Sequence, residues 1–374
     1  MKIAMLGIRG VPARYGGLET CAEEVATRLV ERGHEVIVYC RKGTWDDDAT
    51  EFKGVRRITL PSLKAKFTDT YSHSLLCMFH VLTQKPDVIL AFNPGIGSLC
   101  VIPKMFGYPI ALNPDGFDWR RGKWGGFAKA FILGSAWICA KIIDQMIADS
   151  VSVRDFYNDV LRCRRPAIFI SNGADSIAPE VGEDEAGAIL KKYGLERDGY
   201  ILFLSRHVPE NSCERIIRAF ENVETDKKLF FGGSDDSDYA SRLQNTDESR
   251  VVFPGGIYDP SEVKVLHDNC YFLVHGNQAG GMSLGLLKAM GFGACVLTLN
   301  TPDNVAVAQS AGAVYEDSEE SLAGKMRELL DNPETVRRYR VAARERMRDE
   351  FSWDRIAEKY EAALQKLVDS KQRT

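Results

Sequence analysis

The stretch HGNQAGGMSLGLLKAMGFGACV, residues 275–296, decides the fold of this chain. It contains the end of a strand, a glycine-rich loop, a helix with an apolar face and the start of another strand. A loop of this kind exposes free backbone N–H groups at the positive end of the helix dipole, and its glycines let an anion approach the backbone. The stretch therefore predicts a strand, loop and helix that receive an anionic ligand, with Lys288 inside the helix.

Short apolar runs rich in β-branched residues alternate with amphipathic stretches along the whole chain. The runs in the first half are residues 2–8, 35–40, 87–92, 109–113, 145–150 and 167–171, and those in the second half are residues 200–205, 228–233, 250–256, 270–276 and 294–300. This alternation predicts an α/β protein with parallel, doubly wound sheets. We predict one Rossmann-like domain over residues 1–178, a second over residues 179–352, and a closing helix over about residues 353–374 that completes the first domain.

The composition excludes several classes of protein. The chain has 374 residues, of which 45% are hydrophobic, and a net charge of −4 from 48 basic and 52 acidic residues. No general positive field attracts nucleic acid, so we predict no nucleic-acid partner. Nine cysteines are scattered singly, without metal-ligand spacing, which indicates a reducing cytoplasm. The first residues lack the features of a signal peptide, and the apolar run over residues 127–143 predicts a buried or interfacial helix.

Several candidate ligand contacts follow predicted strands, where ligands bind in open parallel sheets. Arg206 directly follows the strand over residues 200–205, and its guanidinium suits a charge-assisted clamp on a diphosphate. Backbone N–H groups at the helix start would meet the same phosphates, together with those of two glycines after the first strand. These residues are Gly281, Met282, Ser283, Gly16 and Gly17.

Asp115 and His73 are the candidate catalytic residues of the first domain. Asp115 follows the predicted strand over residues 109–113, at an edge of the sheet where ligands bind, and it is the first candidate for contact with the reacting groups. An aspartate in this place is equally typical of a turn in which its side chain caps Gly116. His73 lies beside apolar residues of a predicted helix, where a histidine is more often structural than catalytic.

The segment over residues 118–127 interleaves aromatic and basic side chains. Aromatic rings stack on sugars and basic groups attract phosphate, so the segment is a candidate site for a ligand that carries both. A solvated basic loop held by two tryptophans is the alternative. The candidate residues are Trp119, Arg120, Arg121, Lys123 and Trp124. The acidic stretches over residues 46–48 and 236–238 indicate solvated turns, and we predict neither a metal ion nor a cofactor.

Four stretches carry a resemblance to the GT-B glycosyltransferases of family 4. They are YGGLET at residues 15–20, FLSRHVPEN at 203–211, GGMSLGLLKAMGFGACV at 280–296 and FSWDRIAEKY at 351–360. The resemblance implies two Rossmann-like domains with a donor and acceptor cleft between them. It also implies a retaining hexosyltransferase that uses a nucleotide-diphosphate sugar without a metal. Further donor contacts that it implies are Glu210, Asn211, Gly280 and Lys288.

A finer resemblance is to a bacterial subgroup that includes polysaccharide rhamnosyltransferases. It rests on IRGVPARYGGLETCAEEVATRLVERGHEVIVYCR at residues 8–41, TDTYSHSLL at 68–76 and NPDGFDWRRGKWG at 113–125. It implies transfer of rhamnose from dTDP-rhamnose to a lipid-linked or growing envelope polysaccharide. With such substrates, Asp115 is expected to contact the reacting sugar or the acceptor hydroxyl, and the segment over residues 118–127 is expected to bind a lipid-pyrophosphate acceptor near a membrane. Such an enzyme is expected in the cytoplasm, in peripheral contact with the inner face of the membrane.

The sequence departs from the family pattern at three positions. Gly280 and Lys288 stand where family members usually have glutamates, and Asn211 stands where a lysine is common. Lysine has no hydrogen-bond acceptor, so Lys288 cannot accept from the donor ribose hydroxyls as a glutamate does. We expect its ammonium to restore the charge missing at Asn211, because helical side chains lean toward the helix start. A decayed nucleotide site is the alternative.

Three other functions stay open at this point. A non-catalytic GT-B subunit would bind a partner protein and no nucleotide. A nucleotide-sugar 2-epimerase of related fold would carry paired acids and a histidine in its cleft. An NADP-dependent oxidoreductase is suggested by GIRGVPA at residues 7–13 and by Arg41, but the first loop lacks the G-x-G-x-x-G pattern.

Overall fold

The computed structural model describes residues 1–14, 16–45, 49–63, 68–117, 125–174, 180–233, 238–278 and 281–373. The contacts within the chain divide it into two compact units. The first comprises Met1–Gly173, Gly280–Met282 and Trp353–Thr374, and the second comprises Ala174–Ala279 and Ser283–Ser352.

The first unit is built on an eight-stranded sheet. Its strands are β1 (Lys2–Leu6), β2 (Glu35–Arg41), β3 (Glu51–Phe52), β4 (Val55–Leu60), β5 (Val88–Phe92), β6 (Ile110–Asn113), β7 (Gln145–Ala148) and β8 (Ile168–Phe169). They lie in the order β3-β4-β2-β1-β5-β6-β7-β8, and every neighbouring pair is parallel except β3 with β4. Strands β3 and β4 are not among the predicted strands, since the sequence of β4, VRRITL, mixes charged with apolar residues.

Helices cover both faces of this sheet. They are α1 (Gly16–Glu31), α2 (Asp69–Gln84), α3 (Val101–Met105), α4 (Gly126–Ile142), α5 (Val151–Asp155) and α14 (Trp353–Gln372), with short helical turns at Pro94–Cys100 and Phe156–Val160. Along β1, Ala4 and Leu6 enter one apolar core while Ile3 and Met5 enter the other. Burial on both faces explains why the strands read as continuous apolar runs.

The closing helix α14 belongs to the first unit. It buries Ile356, Tyr360 and Leu364, which recur at helical spacing on one face. It also forms an ion pair with α1, in which Nε of Arg28 lies 2.8 Å from Oδ1 of Asp354. The apolar stripe and this ion pair hold α14 against α1.

The second unit is built on a six-stranded sheet in which every pair is parallel. Its strands are β9 (Tyr200–Leu204), β10 (Lys228–Gly232), β11 (Val251–Val252), β12 (Phe272–His275), β13 (Val296–Leu299) and β14 (Ala313–Tyr315), in the order β11-β10-β9-β12-β13-β14. Its helices are α6 (Glu183–Lys192), α7 (Cys213–Glu221), α8 (Asp238–Leu243), α9 (Pro260–Asn269), α10 (Leu284–Gly291), α11 (Pro302–Ala308), α12 (Glu319–Asp331) and α13 (Pro333–Glu350), with short helical turns at Pro209–Asn211 and Gln309–Ala311.

The predicted α/β architecture with two parallel-sheet units is confirmed. Within its described residues, the decisive stretch supplies the last residue of β12, all of α10 and the first residue of β13, as its sequence predicts. Among the helices of the described residues, none is both long and apolar enough to cross a membrane.

Candidate active site

Arg206 lies immediately beyond the carboxyl end of β9 in the second unit. Its side chain is exposed, and its guanidinium makes no hydrogen bond or ion pair with the residues that the structure describes. The neighbouring Glu210 is also exposed, and its backbone oxygen accepts a hydrogen bond of 2.8 Å from the N–H of Gln278. An exposed guanidinium without an anionic partner at a strand end is suited to an anionic ligand.

The buried amide of Asn211 joins the loops that follow β9 and β12. Its Nδ2 donates to Oγ of Ser205 at 2.9 Å and to the carbonyl of Arg206 at 2.8 Å. Its Oδ1 accepts a hydrogen bond of 3.1 Å from Nδ2 of Asn277. Since a backbone carbonyl can only accept, the orientation of this amide is fixed. Asn211 therefore shapes the loop after β9 and has no side-chain N–H left to donate to an anionic ligand.

Gly276 allows the two loops to come together. A Cβ atom at this position would lie only 2.5 Å from the backbone oxygen of Asn211. The carbonyl of Gly276 accepts a hydrogen bond of 2.7 Å from Oγ of Ser212, which locks the close approach. Any larger residue here would push apart the loops that frame the site.

The start of α10 is capped by Ser283, whose Oγ accepts from the N–H of Leu286 at 3.3 Å. Gly281 has a φ of 121°, a conformation that side chains other than glycine rarely adopt. Gly281, Met282 and Ser283 are all partly buried and directly precede the first residue of α10. Gly280 lies outside the described residues.

His275, at the end of β12, lies in the site but is not among the ligand contacts predicted from the sequence. Its Nε2 lies 2.7 Å from Oγ of Ser283, and its Nδ1 lies 3.1 Å from Oγ1 of Thr298 on β13. Burial lowers the pKa of His275 to about 4, so the ring is neutral near pH 7. The available signal in the sequence was a polar residue near the end of each of two apolar strands, His275 in β12 and Thr298 in β13.

A small cavity of about 80 Å³ lies at the carboxyl ends of β9 and β12. Ser205, Asn211, His275, Asn277 and Ser283 contribute to its lining. The lining is therefore rich in neutral hydrogen-bonding groups, with the exposed Arg206 directly following Ser205 in the chain. These groups can bind oxygen atoms of an anion.

Lys288 lies on the exposed side of α10. Its Nζ is 5.8 Å from the centre of the Phe292 ring, one turn further along, and the ammonium makes no hydrogen bond or ion pair with a described residue. Partial burial lowers its pKa. The side chain thus extends toward the end of α10, whereas the lean expected from the sequence directs it toward the start. The cation–π contact with Phe292 favours the observed direction.

In the first unit, Gly16 and Gly17 form the start of α1. A Cβ atom on Gly16 would lie 3.4 Å from Oε2 of Glu19, so this carboxylate stands at the helix start. Burial raises the pKa of Glu19, and the nearby Asp115 adds to the rise while Arg9 opposes it. Glu19 belongs to the motif YGGLET but is not among the predicted site residues. Its carboxyl group lies at the start of α1, where Gly16 and Gly17 are predicted to contact the donor phosphates.

Asp115 adopts a left-handed conformation with a φ of 59°. Its backbone N–H donates to Oδ1 of Asn113 at 2.9 Å, so Asn113 supplies the turn that holds it. The Nδ2 atom of Asn113 donates to the hydroxyl of Tyr360 on α14 at 2.8 Å. The closing helix therefore orients the amide that positions Asp115. The charge of Asp115 contributes to the raised pKa of Glu19, so the two carboxylates influence each other electrostatically.

His73 is completely buried within α2. Its Nε2 lies 3.1 Å from the carbonyl oxygen of Cys40, and burial lowers its pKa to about 4. The neutral imidazole of His73 therefore links α2 to β2 through this backbone carbonyl. The acceptor candidates Trp119, Arg120, Arg121, Lys123 and Trp124 lie outside the described residues.

Two family models match the chain. Glycosyltransferase Family 4 matches residues 15–176, and Glycosyl transferases group 1 matches residues 187–346. One relative is alpha-maltose-1-phosphate synthase of Mycolicibacterium smegmatis, which is 24% identical over 288 residues, covering 68% of this chain and 72% of the relative.

Solved structures share the fold over almost the full length. Sucrose-phosphate synthase from Thermosynechococcus elongatus matches with a TM-score of 0.76 and 16% identity, covering 99% of both chains. The Anabaena protein HepE in complex with UDP matches with a TM-score of 0.74 and 15% identity, covering 98% of this chain and 100% of that one.

Proposed function

Because this chain belongs to the GT-B glycosyltransferases and is a hexosyltransferase, we propose that it moves a sugar from a nucleoside diphosphate to a lipid-linked or polysaccharide acceptor. The sugar that we propose is rhamnose, donated by dTDP-rhamnose and transferred with retention of its anomeric configuration. The product is an envelope glycan, made in the cytoplasm at the inner face of the membrane.

The observation that carries the donor proposal is the exposed guanidinium of Arg206. It follows β9 directly, has no partner among the described residues and stands beside a cavity whose lining offers neutral donors. A diphosphate would provide the anionic partner for this guanidinium. The complex of the Anabaena relative with UDP supports a nucleoside diphosphate as the ligand.

The proposed reaction needs electrostatic stabilisation rather than a nucleophilic side chain. The bond between the sugar and the donor phosphate breaks, the acceptor oxygen bonds to the same face of the sugar, and the departing phosphate takes the acceptor proton. Arg206 and the start of α10 stabilise the charge that develops on the phosphate. We propose that Asp115 orients the acceptor hydroxyl or the sugar, and that no metal ion is required.

An exposed apolar face on α4 supports contact with a membrane. Ten of the thirteen large apolar side chains that are exposed among the described residues lie in the first unit. On α4 they are Phe131, Leu133 and Trp137, which are 45%, 40% and 55% exposed. Aromatic and aliphatic side chains in this arrangement are typical of a helix that lies in a membrane interface.

Basic residues at the end of α4 support an anionic membrane surface as the partner. The ammonium of Lys141 donates to the carbonyls of Leu161 and Arg162 at 2.9 and 2.8 Å, which holds the loop that begins at residue 161 beside the end of α4. Arg162, Arg164 and Arg165 in this loop are exposed and make no ion pair with a described residue. Basic clusters of this kind attract anionic lipid headgroups.

The experiment that tests the donor proposal is a thermal unfolding series with UDP, dTDP, GDP and their sugars. A bound nucleotide raises the unfolding temperature by mass action. We expect one nucleoside diphosphate to stabilise the chain, with dTDP as the proposed one, and NADP to have no effect. Stabilisation by NADP alone, or by none of these ligands, would contradict the proposal.

The acceptor is tested with the same preparation. Lipid-linked saccharides in vesicles are compared with soluble sugar phosphates, because the names of two relatives refer to sucrose phosphate and maltose-1-phosphate. Transfer to the lipid-linked substrate supports our proposal. Transfer to a soluble sugar phosphate alone would show that this chain shares the acceptor class of those synthases.

A further inference from the structure

The hydroxyl proton of Ser205 is not used in any hydrogen bond with the described residues. Nδ2 of Asn211 donates both of its protons, one to the Arg206 carbonyl and one to Oγ of Ser205. Oγ of Ser205 is therefore an acceptor in this contact, and its own proton has no acceptor among the described residues. Ser205 lines the cavity at the ends of β9 and β12, so this proton is available to a ligand there.

The hydroxyl proton of Ser283 is set by a chain of three side chains. Thr298 is fully buried, and the only described partner of its Oγ1 is Nδ1 of His275. If Nδ1 carried the proton, the hydroxyl of Thr298 would lose its acceptor in the interior, at a substantial cost. Thr298 therefore donates to Nδ1, and the ring proton resides on Nε2.

The tautomer of His275 determines which hydrogen bonds Ser283 can make. Nε2 of His275 donates to Oγ of Ser283 at 2.7 Å, and the N–H of Leu286 donates to the same atom at 3.3 Å. With two donors on its oxygen, Ser283 keeps its own proton for an outside acceptor. Ser283 contributes to the same cavity as Ser205, so both walls present a hydroxyl donor.

We infer that Asn211 and His275 are positioning residues that direct the hydroxyl protons of Ser205 and Ser283 to the diphosphate oxygens of the donor. This inference rests on the proposed function, in which that cavity lies beside the donor phosphates. It assigns Asn211 a role different from the lysine common at its position, since the amide acts through Ser205. Neutral donors in the cavity add to the charge of Arg206.

The tautomer of His275 is measured directly by ¹⁵N and ¹³C NMR of the ligand-free full chain with labelled histidine. The resonance of His275 is identified by its loss in His275→Gln. We expect the Nε2–H tautomer to exceed the Nδ1–H tautomer by more than about tenfold, since the alternative leaves a buried hydroxyl without an acceptor. A ring that is mainly protonated on Nδ1 would overturn the inference. This readout requires no nucleotide and does not depend on activity.

Binding of UDP, dTDP and GDP by Ser283→Ala and Ser205→Ala is then measured by calorimetry. Each variant should bind the preferred diphosphate about tenfold or more weakly, because a hydrogen bond to a charged group is lost. Ser283→Thr keeps the hydroxyl and should recover most of the affinity. Ser318→Ala is the matched control, because Ser318 caps α12 through the N–H of Ser321 and lies outside the cavity lining.

The outcomes separate this inference from the proposed function. If the wild type binds none of the three diphosphates, the proposed function fails. If the wild type and both alanine variants bind a diphosphate equally, the proposed function stands and the positioning role is overturned. Equal weakening in Ser283→Ala and Ser318→Ala would show that the effect is a loss of helix capping, and it would also overturn the role.

Discussion

Tyr360 and Asn113 are joined by a hydrogen bond of 2.8 Å, in which Nδ2 of Asn113 donates to the tyrosine hydroxyl. The residues are 247 positions apart in the chain. The bond fixes the amide of Asn113, whose Oδ1 accepts from the N–H of Asp115. The closing helix of the first unit therefore takes part in positioning the candidate catalytic aspartate.

Asp115→Asn should separate the charge of this residue from its backbone role. Asparagine tolerates the left-handed conformation as well as aspartate does, so we expect the free energy of unfolding to change by less than about 0.5 kcal/mol. Turnover should fall by about 100-fold if the carboxylate orients a reacting hydroxyl, a cost of about 2.7 kcal/mol. Steady-state kinetics and denaturant unfolding measure the two effects. Unchanged turnover would show that Asp115 serves only the turn.

Tyr360→Phe tests the link between α14 and Asp115. Removing the hydroxyl leaves Nδ2 of Asn113 without its acceptor in the interior, so we expect a loss of about 1–3 kcal/mol in the free energy of unfolding. Turnover should fall while the affinity for the donor nucleotide stays the same, because Arg206 and the cavity residues beside it lie in the second unit. Tyr339→Phe, on α13 of the second unit, is a control for loss of a tyrosine hydroxyl. A fall in nucleotide affinity with constant turnover would contradict this relation.

Lys288→Glu decides whether the lysine that replaces a family glutamate contacts the donor. The ammonium makes no hydrogen bond or ion pair with a described residue, and its pKa is lowered by partial burial, so an anionic ligand would stabilise it. We expect the charge reversal to weaken binding of a nucleoside diphosphate about tenfold and of the monophosphate less, as measured by calorimetry. Lys191→Glu on α6, at an exposed lysine that makes no ion pair with a described residue, controls for the change in net charge. Tighter binding by Lys288→Glu would reveal a damaged ribose site.

Acid should destabilise the fold through three buried histidines. Burial lowers the pKa values of His73, His267 and His275 to about 4, from the ordinary histidine value of about 6.5. The unfolded chain binds these protons first as the pH falls, so the stabilisation is complete above about pH 6.5 and is lost toward pH 4. We expect the free energy of unfolding to fall by up to about 4 kcal/mol per pH unit near pH 5, from three protons at about 1.4 kcal/mol each.

The pH series is measured by denaturant unfolding at constant ionic strength. His267→Gln should reduce the slope near pH 5 by about one third, since one of the three titrating groups is removed. A wild-type slope smaller than that of a single proton would contradict neutral buried histidines. An unchanged slope in the variant would exclude His267 as a contributor.

The strands and Arg206 could be predicted because their signals are local. A run such as VILAF at residues 88–92 is apolar throughout, and Arg206 follows its strand directly. The contact between His275 and Thr298 could not be predicted, because it depends on the register in which β12 and β13 pair. The direction of Lys288 depends on rotamer choice, which the general lean of helical side chains does not determine.

The measurement that tests the central claim most directly is the affinity of Arg206→Ala for the preferred nucleotide sugar, measured by calorimetry against the wild type. The account predicts a loss of about 1.5–3 kcal/mol, because a charge-assisted contact to the diphosphate disappears. Arg338→Ala, an exposed arginine on α13, should bind like the wild type. Wild-type affinity in a folded Arg206→Ala variant would contradict the account, because the diphosphate would then bind elsewhere.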